Sequence, residues 1–404
     1  MTFEYDVTTP LDLDYYAVFE GVPGADNAWW QRAREFVSGL DQRMTGHWER
    51  GEYPLDLVTE AGRLGLLSDG VDVSPLGLET LSPLAAGLVN METSRADGSL
   101  GTALAVQGGL ALRTLMLFGS DEQKNAHGAA LATAETLGSF ALTEPAHGSD
   151  SVSLETTATL HGDEKTGYYV LNGSKKWIGN GASGGVTFTW ARVRGGEFDG
   201  KVRCFLVDQN SPGYRGEVIE GKASLRAIHQ ALIHYEDLAV EADAVLPGSR
   251  SFKDASTVLF ATRFGVAWSA VGHAAACVEA ALSYAKQREQ FSKPIGAHQL
   301  VQERLTWMVS ELTSMQLHVK HVTELDAAGK LTGPQASLAK YHNTRKARQI
   351  AQVARDMLGG NGILLHNKVA RHMADIEAIH TYEGTESVQS LIIGRDLTGF
   401  SAFA

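Results

Sequence analysis

The spacing of apolar and polar positions changes twice along this chain. From about residue 25 to 135 apolar residues recur at helical intervals, as in Trp29-Trp30-Gln31-Arg32-Ala33-Arg34-Glu35-Phe36-Val37 and Ala85-Ala86-Gly87-Leu88-Val89-Asn90-Met91. Residues 98–117, rich in Gly, Ala and Leu, predict a helix packed closely against others. From about 138 to 245 the texture turns to strands. Tyr168-Tyr169-Val170-Leu171 meets the turn signal Asn172-Gly173, and Lys175-Lys176-Trp177-Ile178 follows, which predicts a hairpin. Residues 186–193, 202–207 and 231–235 predict further short strands. Beyond about 250 helices return over 274–287, 301–325 and 334–358. The last opens on Pro334 and stops at Gly359-Gly360-Asn361-Gly362. No internal repeat, heptad or low-complexity linker interrupts this order. The pattern predicts a mostly α chain with a central β domain, divided at 1–137, 138–247 and 248–404.

Composition narrows the classes. With 404 residues, 44% apolar and 20% charged, the chain can bury a large core without disulfides. Its two cysteines, Cys204 and Cys277, lie in different regions without metal-like spacing, which points to a reducing cytoplasm and away from a zinc site. The 14 histidines are scattered, so no metal site is expected. The acidic start, Met1-Thr2-Phe3-Glu4-Tyr5-Asp6, lacks the apolar core of a signal peptide. No run of roughly 18 apolar residues is seen, so no membrane span is expected. A net charge of -12 argues against nucleic acid as the main partner, while a local arginine cluster could still hold an anionic substrate.

Five segments carry candidate chemistry. They are Phe140-Ala141-Leu142-Thr143-Glu144-Pro145-Ala146-His147-Gly148-Ser149-Asp150, Lys176-Trp177-Ile178-Gly179-Asn180, Arg288-Glu289-Gln290-Phe291-Ser292-Lys293-Pro294-Ile295, Ala354-Arg355-Asp356-Met357-Leu358-Gly359-Gly360-Asn361-Gly362-Ile363, and Thr381-Tyr382-Glu383-Gly384-Thr385. Each has a plain reading alone: a Ser/Gly turn, a core aromatic, or a solvated helix end. Each also suits a chemical task. Thr143, Gly148 and Ser149 offer hydroxyls and free amides, as a flavin edge and a pyrophosphate require. A carbon–hydrogen bond beside a thioester is a weak acid, so removing its proton takes a placed carboxylate and an electron sink.

In this order and spacing the five segments resemble the acyl-CoA dehydrogenase family over nearly the whole chain. The tail Leu391-Ile392-Ile393-Gly394-Arg395-Asp396-Leu397-Thr398-Gly399-Phe400 looks most like the glutaryl-CoA dehydrogenase branch. The resemblance implies an N-terminal helical domain, a small β-barrel-like domain and a C-terminal four-helix bundle. It implies FAD as cofactor and an acyl-CoA, or carrier-bound acyl, thioester as substrate. Glu383 would take the α proton while a hydride leaves the β carbon for flavin N5. Phe140, Leu142, Thr143, Gly148, Ser149, Trp177, Ile178, Gly179 and Thr385 would line the flavin. Arg288, Phe291, Gln299, Asp356, Gly359 and Gly360 would hold the FAD of a neighbouring subunit, which requires a homo-oligomer, in this family usually a tetramer. Ser149, Arg263 and Gly384 would meet the substrate. Electrons would pass to an electron-transfer flavoprotein.

Two departures stand against that pattern. Aligned without gaps, Leu100-Gly101-Thr102 replaces the Tyr-Arg-Ser triplet that clamps the distal carboxylate of glutaryl-CoA, so a diacid thioester is disfavoured. The glycine there is expected to leave room for a bulkier acyl group. Gly179 replaces the hydroxyl residue that bonds flavin N5, and is expected to open space for oxygen. That keeps an oxidase or a flavin monooxygenase of specialised metabolism, with molecular oxygen as acceptor, as an alternative. A flavin- and acyl-binding subunit without turnover is a third reading, against which Glu383 itself argues.

Overall fold

The computed structural model describes residues 5–403. Seven helices come first: α1 (Gly24–Val37), α2 (Asp41–Arg50), α3 (Leu55–Arg63), α4 (Pro83–Ala96), α5 (Gly98–Leu104), α6 (Arg113–Phe118) and α7 (Asp121–Ala132). Side-chain caps set several starts. Ser82 accepts from the Ala85 amide ahead of α4, Asp97 accepts from Ser99 and Leu100 ahead of α5, and Ser120 with Gln123 caps α7 reciprocally. Residues 98–117, expected as one helix, are not uniform: Ala105–Leu112 widens into a π-helix between α5 and α6. Gly108 lies in that turn because a Cβ there would sit 1.4 Å from the Leu67 carbonyl oxygen.

Seven strands follow: β1 (Gly138–Ala141), β2 (Thr157–His161), β3 (Tyr168–Gly179), β4 (Val186–Arg194), β5 (Val202–Asp208), β6 (Tyr214–Val218) and β7 (Gln230–Glu241). They form one sheet in the order β1-β4-β2-β3-β7-β6, with β5 also on β4. β1 and β2 run parallel to β4, and the other pairs are antiparallel. The hairpin expected at Asn172-Gly173 does not exist. β3 passes straight through it, with register shifts against β7 between Leu171 and Gly173 and between Lys175 and Ile178. Gly173 takes φ 144 and presses on Thr156, while Asn172 bonds Asp237 across the pair. The turn signal serves a bulge instead.

The C-terminal part holds α8 (Phe252–Gln287), the short pair β8 (Glu289–Gln290) and β9 (Lys293–Pro294), then α9 (Gln299–Ala327), α10 (Gly333–Met357), α11 (Val369–Thr381) and α12 (Glu386–Thr398). α8 starts at Phe252, well before residue 274, because Ser251 and Asp254 cap it reciprocally. Its middle is buried on all sides, which blurs the helical stripe that periodicity detects. Two helices, Gly98–Phe118 and Phe252–Gln287, are long and apolar enough to cross a membrane, but 67% and 89% of their apolar windows are buried inside the fold, as in core helices. The main core joins Trp268, Val271, Leu312, Met315, Ile350 and Ile376.

Two glycines let α4 and α8 touch. A Cβ on Gly87 would lie 2.3 Å from the Trp268 indole, and one on Gly272 would lie 2.2 Å from the Met91 carbonyl oxygen. Gly87→Val is expected to lower the urea midpoint of unfolding at a cost of about 1–3 kcal/mol, since the indole has no space to retreat. An unchanged midpoint would contradict this packing.

Candidate active site

The site begins with α11, which buried polar bonds hold to three parts of the chain. Arg371 donates to Asp97 at 2.5 Å and to Asp41 at 2.6 Å. Asp375 Oδ1 accepts from the Trp48 indole at 2.9 Å and from the Leu225 amide at 2.6 Å. The helix ends at Thr381, and the chain turns sharply before Thr385 caps α12 through the Val388 amide. In that turn Glu383 adopts φ 52 and Gly384 φ 86. A non-glycine residue there is strained and persists only when its surroundings hold it. Lys340 of α10 supplies the hold: its buried ammonium donates to the carbonyls of both Tyr382 and Gly384. Gln389 donates from the other side to the carbonyls of Glu383 at 3.0 Å and Gly384 at 3.1 Å.

Glu383 is half-buried, so part of the residue stays open to solvent. Thr262 of α8 donates to its Oε2 at 2.8 Å. Burial raises its pKa above the ordinary carboxylate value; the Thr262 bond and the charges of Lys340 and Arg263 work against that rise, and Asp69 adds to it. Burial outweighs its opponents, so the group leans toward a stronger base. Burial in turn lowers the Lys340 ammonium, with attraction to Glu383 opposing. Arg263 donates to Ser337 Oγ at 3.1 Å and leaves Nε without a partner.

The sheet supplies a second wall. Phe140 and Leu142 are buried, and Thr143 follows where the chain leaves β1. This exit is fixed by Glu144, which accepts from the Glu155 and Thr156 amides and pairs with the buried Lys175 at 2.9 Å. Gly148 and Ser149 lie in the exposed loop beyond. At the end of β3, Trp177 takes φ 65 and stays 53% exposed, whereas Ile178 and Gly179 are buried. Gly179 does not open space: a Cβ there would sit 3.0 Å from Val106 of the π-helical turn. Val106 and Tyr382 pack against one apolar cluster, tying the sheet to the Glu383 turn. Gly101 corrects a second expectation, because its missing side chain faces Ser94 of α4, where a Cβ would lie 2.5 Å from Oγ. It allows α5 to pack and adds no acyl room.

The remaining predicted residues gather elsewhere. Arg288, the C-cap of α8, donates to the Tyr5 hydroxyl at 2.8 Å. Tyr5 stacks edge-on against Tyr284, whose hydroxyl accepts from Asn361 at 3.1 Å, so Gly359 and Gly360 lie near Arg288. Phe291, at the tip between β8 and β9, is 89% exposed with φ 54. Gln299 opens α9, and Asp356 pairs with Arg355 at the surface.

Family models for the N-terminal, middle and C-terminal domains of acyl-CoA dehydrogenases match residues 25–135, 139–238 and 252–398. The chain is 33% identical to an acyl-CoA dehydrogenase of Bacillus subtilis (strain 168), covering 86% of this chain and 91% of that one. It is 32% identical to the human mitochondrial short-chain specific acyl-CoA dehydrogenase, covering 85% and 83%. A glutaryl-CoA dehydrogenase structure from Mycobacterium smegmatis superposes with a TM-score of 0.90 at 36% identity, over 95% of this chain and 97% of the other. A glutaryl-CoA dehydrogenase from the same organism, in complex with FADH2, gives 0.90 at 33% identity over 96% and 98%. The chain belongs to the acyl-CoA dehydrogenase family and is an FAD-dependent oxidoreductase. Its residues fit the flavin: the Trp177 indole stands half exposed beyond Thr143, and a Cβ on Gly148, Gly359 or Gly360 would meet nothing within 4 Å.

Thr262, Lys340 and Gln389 were missed from the sequence. Thr262 sits beside Arg263, and Lys340 lies on a buried helix face with Ala336, Ser337, Asn343, Thr344 and Ala347. A lysine in a small-residue stripe was the available signal. Lys340→Met is expected to lower flavin reduction by about tenfold or more, since two buried carbonyls lose a charged donor. It also removes a charge that holds the Glu383 pKa down, so the acidic limb of the pH–rate profile should move to higher pH. An unmoved limb would show that Lys340 only supports the fold.

Proposed function

We propose that this protein α,β-dehydrogenates an acyl thioester, carried on CoA or on a carrier protein, with Glu383 as the base. The observation that supports it most is the desolvated Glu383 carboxyl, bonded by Thr262 and braced by Lys340 and Gln389. Bound FAD supplies the acceptor for the hydride leaving the β carbon. Glu383 takes the α proton onto its carboxylate, and departure of water as substrate fills the site strengthens it as a base. The Glu383 amide donates to no group among the described residues, so it is free to bind the thioester carbonyl oxygen where charge develops. Gly384 gives this turn its shape, while Ser149 and Arg263 would contact the substrate.

Phe140, Leu142, Thr143, Gly148, Ser149, Trp177, Ile178, Gly179 and Thr385 would hold FAD in their own subunit. Arg288, Phe291, Gln299, Asp356, Gly359 and Gly360 would serve a neighbour's, which makes the working form a homo-oligomer, as a tetramer does. An electron-transfer flavoprotein is the proposed acceptor. Filling of the space beside Gly179 by Val106 weighs against the oxygen-using alternative.

Anaerobic acyl-CoA should bleach the flavin, with slow recolouring in air. Fast recolouring with peroxide would mean an oxidase. Glu383→Gln should slow bleaching by about 10²–10⁴-fold. Because the base works ionised and burial raises its pKa, kcat/KM should rise with pH along a limb lying above the ordinary carboxylate value of 4.5. Intact turnover in the Gln variant would overturn the assignment.

A further inference from the structure

Beside the catalytic carboxyl, a cavity of about 120 Å³ opens between α4, the start of α6, α8 and the end of α9. Phe260, Phe264, Pro83 and Ala86 are among its apolar walls, and Asp69, Asn90, Arg113 and Asp326 supply its polar side chains. Its closeness to Glu383 follows from Gly109. A Cβ there would lie 2.5 Å from Asp69 Oδ2 and 3.3 Å from the methyl of Thr262, the residue bonded to Glu383. Asp69 also acts electrostatically on Glu383. A substrate with its α carbon at Glu383 therefore has this cavity within reach of its acyl chain.

The polar groups are unequally satisfied. Asp69 accepts from Asn90 at 2.7 Å and pairs with Arg113 at 3.4 Å. Arg113 spends Nε on the Gly109 carbonyl at 3.0 Å and Nη2 on the Asp69 carbonyl at 2.6 Å. Asp326 makes no side-chain hydrogen bond or ion pair among the described residues; only the more distant charge of Arg113 offsets its burial. An alkyl end placed here would take water from that carboxylate and return nothing. A carboxylate end would face two acids and one arginine with only Nη1 left to offer it. A hydrogen-bond donor suits the site.

We infer that this cavity receives the distal end of the acyl chain, and that this end carries a donor group, an amine, hydroxyl or amide, which Asp326 accepts. The inference rests on the thioester dehydrogenase reading above. It makes Asp326 a specificity residue and the substrate a short, polar-ended acyl thioester.

The test uses the FAD-loaded enzyme and CoA thioesters of matched length ending in amine, hydroxyl, methyl or carboxylate, read by anaerobic flavin bleaching. The amine or hydroxyl ester should exceed the methyl and carboxylate esters in kcat/KM by about tenfold or more. Which of the two leads assigns a cationic or a neutral donor. In Asp326→Ala the ratio of donor-ended to methyl-ended kcat/KM should fall toward one. Preference for the methyl or carboxylate ester, or a ratio unchanged by the substitution, overturns the inference and leaves the dehydrogenase reading standing. Bleaching by no thioester at all removes both.

Discussion

A carboxyl group taken out of water on a left-handed turn is the constraint around which this structure is organised. Glu383 has a backbone that L-residues avoid and a side chain that burial pushes toward protonation. Neither persists unaided. Lys340 answers both, because one ammonium binds the carbonyls on either side of Glu383 and sets a positive charge near its carboxyl. A neutral donor could have met only the first need. The lysine in turn is tolerated in the core because its bonds and its attraction to Glu383 offset its own burial. The turn inherits its place from α11, which Arg371 and Asp375 fasten to α2, to the cap of α5 and to the loop before β7.

The glycines show how a missing side chain serves different ends. Gly87, Gly101, Gly108, Gly179 and Gly272 are occupied by neighbours and allow elements to approach. Gly148, Gly359 and Gly360 face open space and leave room for something to come close. Residue identity cannot distinguish the two kinds, since the direction of an absent Cβ depends on tertiary packing. This is why Gly101 and Gly179 read as openings in the sequence although the structure fills them.

Much of the fold was legible. The change from helical to alternating spacing and back marks the helix–sheet–helix order, because each element must present an apolar face to a shared core. It failed in two places: the first turns of α8 bury only Ala255, Val258 and Thr262 among half-exposed neighbours, too sparse a stripe to mark the start, and Asn172-Gly173 marks a bulge that local chemistry does not separate from a turn. The Glu383 turn was legible from its residues and their resemblance. Lys340, Thr262 and Gln389 were not, since each acts through a contact made by chain folding. The cavity beside Thr262 was still less visible: Asp69, in its wall, stands in Leu67-Ser68-Asp69-Gly70, which looks like an ordinary turn.

The proposed chemistry is proton abstraction next to a thioester by a carboxylate that the fold has both strained and desolvated. Rapid-mixing of the FAD-loaded enzyme with an acyl-CoA deuterated only at the α carbon, set against the unlabelled ester, tests this most directly. Slower bleaching of the flavin with the labelled ester, together with loss of α-hydrogen exchange with solvent when position 383 is glutamine, is the predicted result. Equal bleaching rates combined with undiminished exchange in that variant would contradict it.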